Sequence, residues 1–189
     1  MPSMIQDFLG NFTDVAKPSR FEVTIGSKSY NDISPNDLIL RCETAELPSR
    51  TYATAEQKFG SNPVEKFPYQ VQFNDLNLTF IVDDDMLAKY FFDGWLEAVI
   101  PSSNYNPNYK NTYSATINIR QYRNNNEPSY SVDLFEAYPI SVNQLDLDWS
   151  AEGHHKLTVV FAYTSWQKTS IYRKSQNINR IFFNPNSEL

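Results

Sequence analysis

Apolar and polar side chains alternate with a period of two along most of this chain, the pattern of half-buried β-strands. Phe21, Val23 and Ile25 alternate with Glu22 and Thr24, and Leu38 to Glu46 supplies a second strand that Pro48 closes. The stretch between them, SYNDISPND, is rich in turn formers. Residues 49 to 63, SRTYATAEQKFGSNP, are polar and end in Gly-Ser-Asn-Pro, which predicts an exposed loop or a long projecting hairpin. That makes Arg50, Tyr52, Glu56, Lys58 and Phe59 candidates for a contact arm. Tyr69, Val71 and Phe73 alternate with Gln70 and Gln72, and Leu76 to Val82 extends an antiparallel meander. Strands follow at Tyr113 to Tyr122, Ser129 to Tyr138, Ser141 to Trp149 and Lys156 to Trp166, linked by turns at NNNEP, YP and SAEGH.

Two segments break the period. Ile5, Phe8, Leu9, Phe12 and Val15 recur at helical spacing and predict a short amphipathic helix over 3 to 16, stopped before Pro18. In DDDMLAKYFFDGWLEAVIP, Leu87, Tyr90, Phe91 and Trp95 form an apolar stripe, flanked by Met86 and Val99, and predict the single internal helix. Asp83 or Asp84 can cap it, Asp85 suits its positive end, and Pro101 ends it. Phe91 and Trp95 are therefore expected in the core. Past Gln167 the chain is polar with scattered Ile and Phe. The expected organisation is an N-terminal helical arm over 1 to 20, a mainly β domain over 21 to 166 and an extension over 167 to 189.

Composition agrees with the pattern. Of 189 residues, 41% are hydrophobic and 15% aromatic, enough for one domain with a core, and 13 Phe, 12 Tyr and 3 Trp against 5 Gly favour pleated sheets. With 16 Lys and Arg against 22 Asp and Glu the formal net charge is −6, which argues against a protein that grips phosphates. Cys42 is the one cysteine, so no intrachain disulfide forms and a reducing compartment is expected. The N-terminus lacks a cationic region and an apolar run of signal-peptide length, and no run approaches the roughly 18 to 20 apolar residues of a membrane span.

Candidate chemistry is sparse. In NQLDLDW, residues 143 to 149, Leu145, Leu147 and Trp149 alternate with Asp146 and Asp148. On a strand the two carboxylates would project from one face roughly 6.5 to 7 Å apart, a spacing compatible with an acid pair. No convergent His, Lys or ligand set accompanies them, so the preferred reading turns Asp146 and Asp148 to water and buries Leu145, Leu147 and Trp149. His154 and His155 sit in a predicted turn beside Gly153 without a visible partner in the sequence. Asp83, Asp84 and Asp85 lack the Gly and spaced ligands of a calcium loop. No nucleotide-binding, hydrolase or zincin motif occurs, and Arg41, Arg50, Arg120 and Arg123 are dispersed among acids. No enzyme, cofactor or metal is expected.

Several of these pieces fall in a familiar order. RQY at 120 to 122, Tyr138-Pro139, QLDLDW at 144 to 149 and the aromatic strand ending in Trp166 resemble the tail tube proteins of T4-like contractile-tailed bacteriophages. Phe21-Glu22-Val23-Thr24-Ile25, Cys42 and Leu47-Pro48 echo them in the front half. The resemblance spans roughly residues 8 to 167; a longer 98 to 112 loop and the tail after Gln167 depart from it. It implies a two-sheet antiparallel β-sandwich with a flanking helix, with six copies closing into a ring and rings stacking into a hollow virion tube, made in the host cytoplasm. Its implied partners are further copies of itself, the tail sheath, the tape measure protein, the baseplate tube initiator and genomic DNA in transit, with no membrane binding. Asp146 and Asp148 would then line the bore or face the sheath. A tube initiator or terminator, and an effector-carrying ring protein of a related injection system, share that fold.

Overall fold

The computed structural model describes residues 15–150 and 152–169. The helix expected over 3 to 16 falls almost wholly outside the described residues, as does the extension from 170 onward. Among the described residues nine strands run in order: β1 (Phe21–Ile25), β2 (Cys42–Ala45), β3 (Thr51–Gln57), β4 (Glu65–Gln72), β5 (Leu76–Ile81), β6 (Ala115–Tyr122), β7 (Pro128–Val142), β8 (Lys156–Ala162) and β9 (Ser165–Lys168). A 3-10 helix occupies Pro35–Arg41. Helix α1 spans Leu87–Val99, and a single turn, α2, spans Lys110–Tyr113.

Strand β7 organises the sandwich. Its first half pairs with β6 and β9, and its last residues, Tyr138 to Val142, pair with β8. The change of sheet occurs where Glu136 takes a left-handed φ of 54° and the register slips, the bend that a bulge imposes. One sheet is therefore β1-β6-β7-β9 and the other β7-β8-β5-β2, all antiparallel. Strands β3 and β4 form a separate two-stranded sheet. The expected two-sheet β-sandwich is the observed architecture, and the single internal helix expected is joined by the 3-10 helix and the one-turn α2.

The core lies between the sheets. Val23, Ile25, Ile117, Ile119, Val132 and Leu134 face Leu76, Leu78, Phe80, Leu157, Val159 and Phe161, all nearly or fully buried. Helix α1 adds Phe91, Phe92 and Trp95, each fully buried. Phe92 meets Phe80 and Phe161 at 5.0 and 6.0 Å between centroids, and Trp95 stacks on Tyr30 at 5.5 Å. The Trp95 indole N–H donates to the Tyr113 carbonyl at 2.7 Å, so its one polar atom is satisfied inside. Asp83 accepts from the Leu87 amide at 3.1 Å and pairs with Arg41, tying the start of α1 to the end of the 3-10 helix.

Four expectations need correction. Leu38 to Arg41 are not strand: Ser34 and Asp37 make a capping box and Pro35 sits in the first turn, so the 3-10 helix takes these residues before β2 begins. Residues 69 to 73 do not join the meander; β4 pairs with β3 instead. Lys156 to Trp166 divides at Tyr163 and Thr164 into β8 and β9, one in each sheet. Ser129 to Tyr138 and Ser141 to Trp149 are not two strands with a turn at Tyr138-Pro139; β7 runs through that dipeptide and pairing stops at Asn143. There the Asn143 side chain accepts from the Thr158 amide at 2.7 Å and donates to the Lys156 carbonyl at 3.3 Å, ending the ladder. Five residues on, Asp148 accepts from the Ser150 amide and hydroxyl at 3.0 and 2.9 Å, an Asx turn that overrides the alternation.

Candidate assembly surfaces

The first surface is the sheet β1-β6-β7-β9. Among the described residues β1 is paired along one side, with β6, and β9 along one side, with β7. Each leaves a short row of backbone donors and acceptors open, and an open row is a template for another strand. The face of this sheet turned from the core is polar. Cross-strand register puts Thr24, Asn118, Asp133 and Gln167 in one row and Glu22, Arg120 and Ser131 in the next. The Asn118 amide donates to Asp133 at 2.5 Å and Ser131 at 3.0 Å, and the Thr169 hydroxyl donates to Asp133 at 2.6 Å. Glu22 accepts from the Tyr122 hydroxyl and lies 3.6 Å from the Arg120 guanidinium. These residues are the polar members of alternating strands, but only register reveals that they are neighbours.

The second surface is the β3-β4 arm. Seven register positions join the strands, with a bulge between Ala53 and Thr54, and almost every side chain faces solvent. Tyr52, Phe59, Val64, Phe67, Tyr69 and Val71 are all large and exposed, up to 69% for Tyr69. A clustering of apolar side chains on a hairpin without a core marks a contact surface. Glu56 pairs with Lys66 across the arm at 3.2 Å, and Pro68 deletes one ladder donor from β4. Arg50 has a different place from Tyr52, Glu56, Lys58 and Phe59. Its guanidinium lies 4.8 Å over Trp166 and 5.8 Å from Phe73, while the Trp166 indole donates to the Ser49 carbonyl at 3.2 Å. Arg50 thus roots the arm on β9 instead of extending it.

The third surface is the loop from Asn143 to His155. Leu145 packs partly against the core, but Leu147 and Trp149 are 87% and 108% exposed, which corrects their expected burial. Once the chain leaves the ladder, the strand alternation no longer directs them inward. Asp146, Asp148, Glu152, His154 and His155 line a shallow depression beside them. The Ser150 amide and hydroxyl hold the Asp148 carboxyl below its usual value, which fits a structural turn acceptor.

Elsewhere the titratable groups read as structural. Burial pushes the Cys42 thiol up to about 12, so the thiolate that nucleophilic or metal chemistry needs is scarce. Burial pulls the Asp83 carboxyl up, but Arg41 and the Leu87 amide outweigh it and hold the group below its usual value. Among the described residues no group of three or more His, Cys, Asp or Glu is placed to hold a metal ion, and no helix is long and apolar enough to cross a membrane.

Residues 16–169 match the family profile described as phage tail tube protein. No curated protein sequence matches the chain. Among solved structures it resembles a chain of the anti-feeding prophage cap, described as its tube-terminating cap, with a TM-score of 0.65 at 17% identity over 85% of this chain and 94% of that one. It also resembles a chain of the sheath-tube complex of an extracellular contractile injection system in the extended state, with a TM-score of 0.60 at 16% identity over 90% of this chain and 100% of that one. A chain of the sheath/tube terminator of such a system gives 0.63 at 15% identity, over 84% and 100%.

Proposed function

The chain belongs to the phage tail tube protein family, and we propose that it builds its tube by joining the open β1 edge of one copy to the open β9 edge of the next. The two edges lie on opposite sides of a single four-stranded sheet and are nearly matched in length, five and four residues, which is the observation that carries the reading. Backbone pairing across each junction turns separate sheets into one closed wall and removes the edges. The second sheet and α1 cover one face of this sheet, so closure with the uncovered face inward leaves a hollow bore; the opposite curvature would crowd six sandwiches into the centre. The ring is hexameric and the bore carries DNA in transit.

Rings stack through the β3-β4 arm. Tyr52, Phe59 and Tyr69 are exposed, with no core beneath them among the described residues, and Glu56 and Lys58 give the arm a polar rim. Trp149 and Leu147, presented on the 143 to 155 loop, add a second apolar anchor for a neighbouring copy or for the sheath. Asp146 and Asp148 stay in water beside them. The tape measure protein and a baseplate tube initiator are further partners of the tube. The role is structural, without turnover.

Negative-stain electron microscopy across a concentration series tests this reading. The unaltered protein is expected to give hollow rings and stacks; Tyr69→Asp, which changes an exposed side chain, is expected to give folded subunits and isolated rings without stacks. Stacks of ordinary length from Tyr69→Asp would contradict the stacking role of the arm.

A further inference from the structure

Arg120 is the one cation in the two cross-strand rows of the uncovered face, and Glu22 stands directly opposite it on β1. The carboxylate lies 3.6 Å from the guanidinium, and both side chains are partly exposed, 34% and 41%. Glu22 is itself held in place, since the Tyr122 hydroxyl donates to the same oxygen. In the neighbouring row Asp133 is fixed by Asn118 and Thr169 and adds a negative charge. Arg20, at the end of the sheet, is turned to the carbonyl of Asn124 and the side chain of Asn126 at 3.0 and 2.9 Å. Among the described residues, a polyanion approaching these two rows meets a single guanidinium per subunit, and that guanidinium is already engaged.

We propose that Glu22 is a shielding residue: by pairing with Arg120 it withholds that guanidinium from a passing phosphate backbone and so keeps nucleic acid from adhering. An exposed ion pair contributes little to stability, on the order of 0 to 1 kcal/mol, so the pair is not explained by folding alone. Its consequence grows by repetition. Freed in every subunit of a closed ring, Arg120 would form a cationic girdle, and each engaged phosphate releases counterions and tightens binding. The inference rests on the proposed inward orientation of this face, but the pairing itself can be read in the single subunit.

The experiment compares the unaltered chain with Glu22→Gln and with the double variant Glu22→Gln, Arg120→Gln. Glutamine keeps the oxygen to which Tyr122 donates, so folding is expected to survive. In unassembled subunits the probe is a 12-base-pair DNA duplex and the readout is the Arg120 side-chain NMR signal. It is expected to move with added DNA in Glu22→Gln and to stay fixed in the unaltered chain. In assembled rings, fluorescence anisotropy of the same duplex is expected to show at least roughly tenfold tighter binding for Glu22→Gln at ~50 mM salt, weakening steeply as salt rises. The double variant is expected to return to the unaltered value. Equal Arg120 responses in the first two chains, or a double variant that binds DNA as well as Glu22→Gln does, would overturn the shield. A response in subunits that is not amplified in rings would leave the shield standing and overturn the inward orientation of the face.

Discussion

The β3-β4 arm gives the sharpest expectation about the free subunit. Beyond the Arg50 anchor at its root, the side-chain stabilisation of the arm among the described residues comes from cross-strand pairs, Tyr52 with Val71, Ala55 with Phe67 and the Glu56–Lys66 ion pair. Such pairs contribute about 0.2 to 1 kcal/mol each, so together about 0.6 to 3 kcal/mol. The arm has no core beneath it, and a two-stranded hairpin alone is marginal in water. Local opening should therefore cost about 2 kcal/mol or less, a protection factor near 30 or below, given about 1.4 kcal/mol per decade. Amides of β6, paired on both sides and backed by Ile117 and Ile119, should open only with the whole domain, at about 5 to 15 kcal/mol. Hydrogen exchange read by mass spectrometry separates these regimes. In unassembled subunits, peptides covering Thr51 to Gln72 are expected to exchange within seconds while β6 stays protected; in stacked tubes the arm is expected to slow by at least about tenfold. Arm peptides as slow as β6 in the free subunit would refute the reasoning, and so would arm exchange unchanged by stacking.

Other expectations concern the core and the caps. Trp95→Ala should cost about 3 to 5 kcal/mol in chemical unfolding, from the lost ring contacts, and Trp95→Phe about 1 to 3 kcal/mol, because the Tyr113 carbonyl loses its donor. Gly94→Ala should gain about 1 kcal/mol of helix propensity but places its Cβ 2.7 Å from the Asn31 amide nitrogen, which donates to the Tyr90 carbonyl. It is expected to be near neutral in the natural chain and stabilising beside Asn31→Gly, a residue with φ of 51°; equal gains in both backgrounds would refute the clash. Asp83 has a depressed folded pKa, so its contribution is present above the unfolded carboxylate value of about 4 and is lost as pH falls through the lower folded value. The Tm deficit of Asp83→Asn should accordingly shrink between pH ~5 and pH ~3, and a deficit independent of pH would contradict the ion pair with Arg41.

Much of the sandwich was legible because period-two alternation is imposed by burial of one strand face, and β1, β5 and β6 bury the residues that their period selects; on α1 Phe91 and Trp95 are buried as expected, but Tyr90 is 59% exposed and Ala88 and Phe92 enter the core instead. What alternation could not convey was where local hydrogen bonding competes with the ladder. Ser34, Pro35 and Asp37 carried a capping signal in plain view, yet Leu38 and Leu40 read as strand; Leu38 is buried from the 3-10 helix and Leu40 is 96% exposed. Asp148 and Ser150 likewise formed a turn inside a perfect alternation, which moved Leu147 and Trp149 from the expected core to the surface. Sheet membership was also hidden, since nothing in one strand says that β7 changes sheets at Glu136. The arm was legible as exposed, but the engagement of Arg50 with Trp166 depends on residues far apart in sequence. The paired rows of Glu22, Arg120, Asn118 and Asp133 required register, which alternation does not supply.

The lateral junction decides whether this subunit builds a tube as described. A cryo-electron microscopy map of the assembled protein is expected to show hollow hexameric rings in which β1 of one copy is hydrogen-bonded to β9 of the next, with Glu22 and Arg120 facing the bore. Rings held together through other surfaces, with β1 and β9 open to solvent, would contradict it, as would a protein that remains monomeric at every concentration.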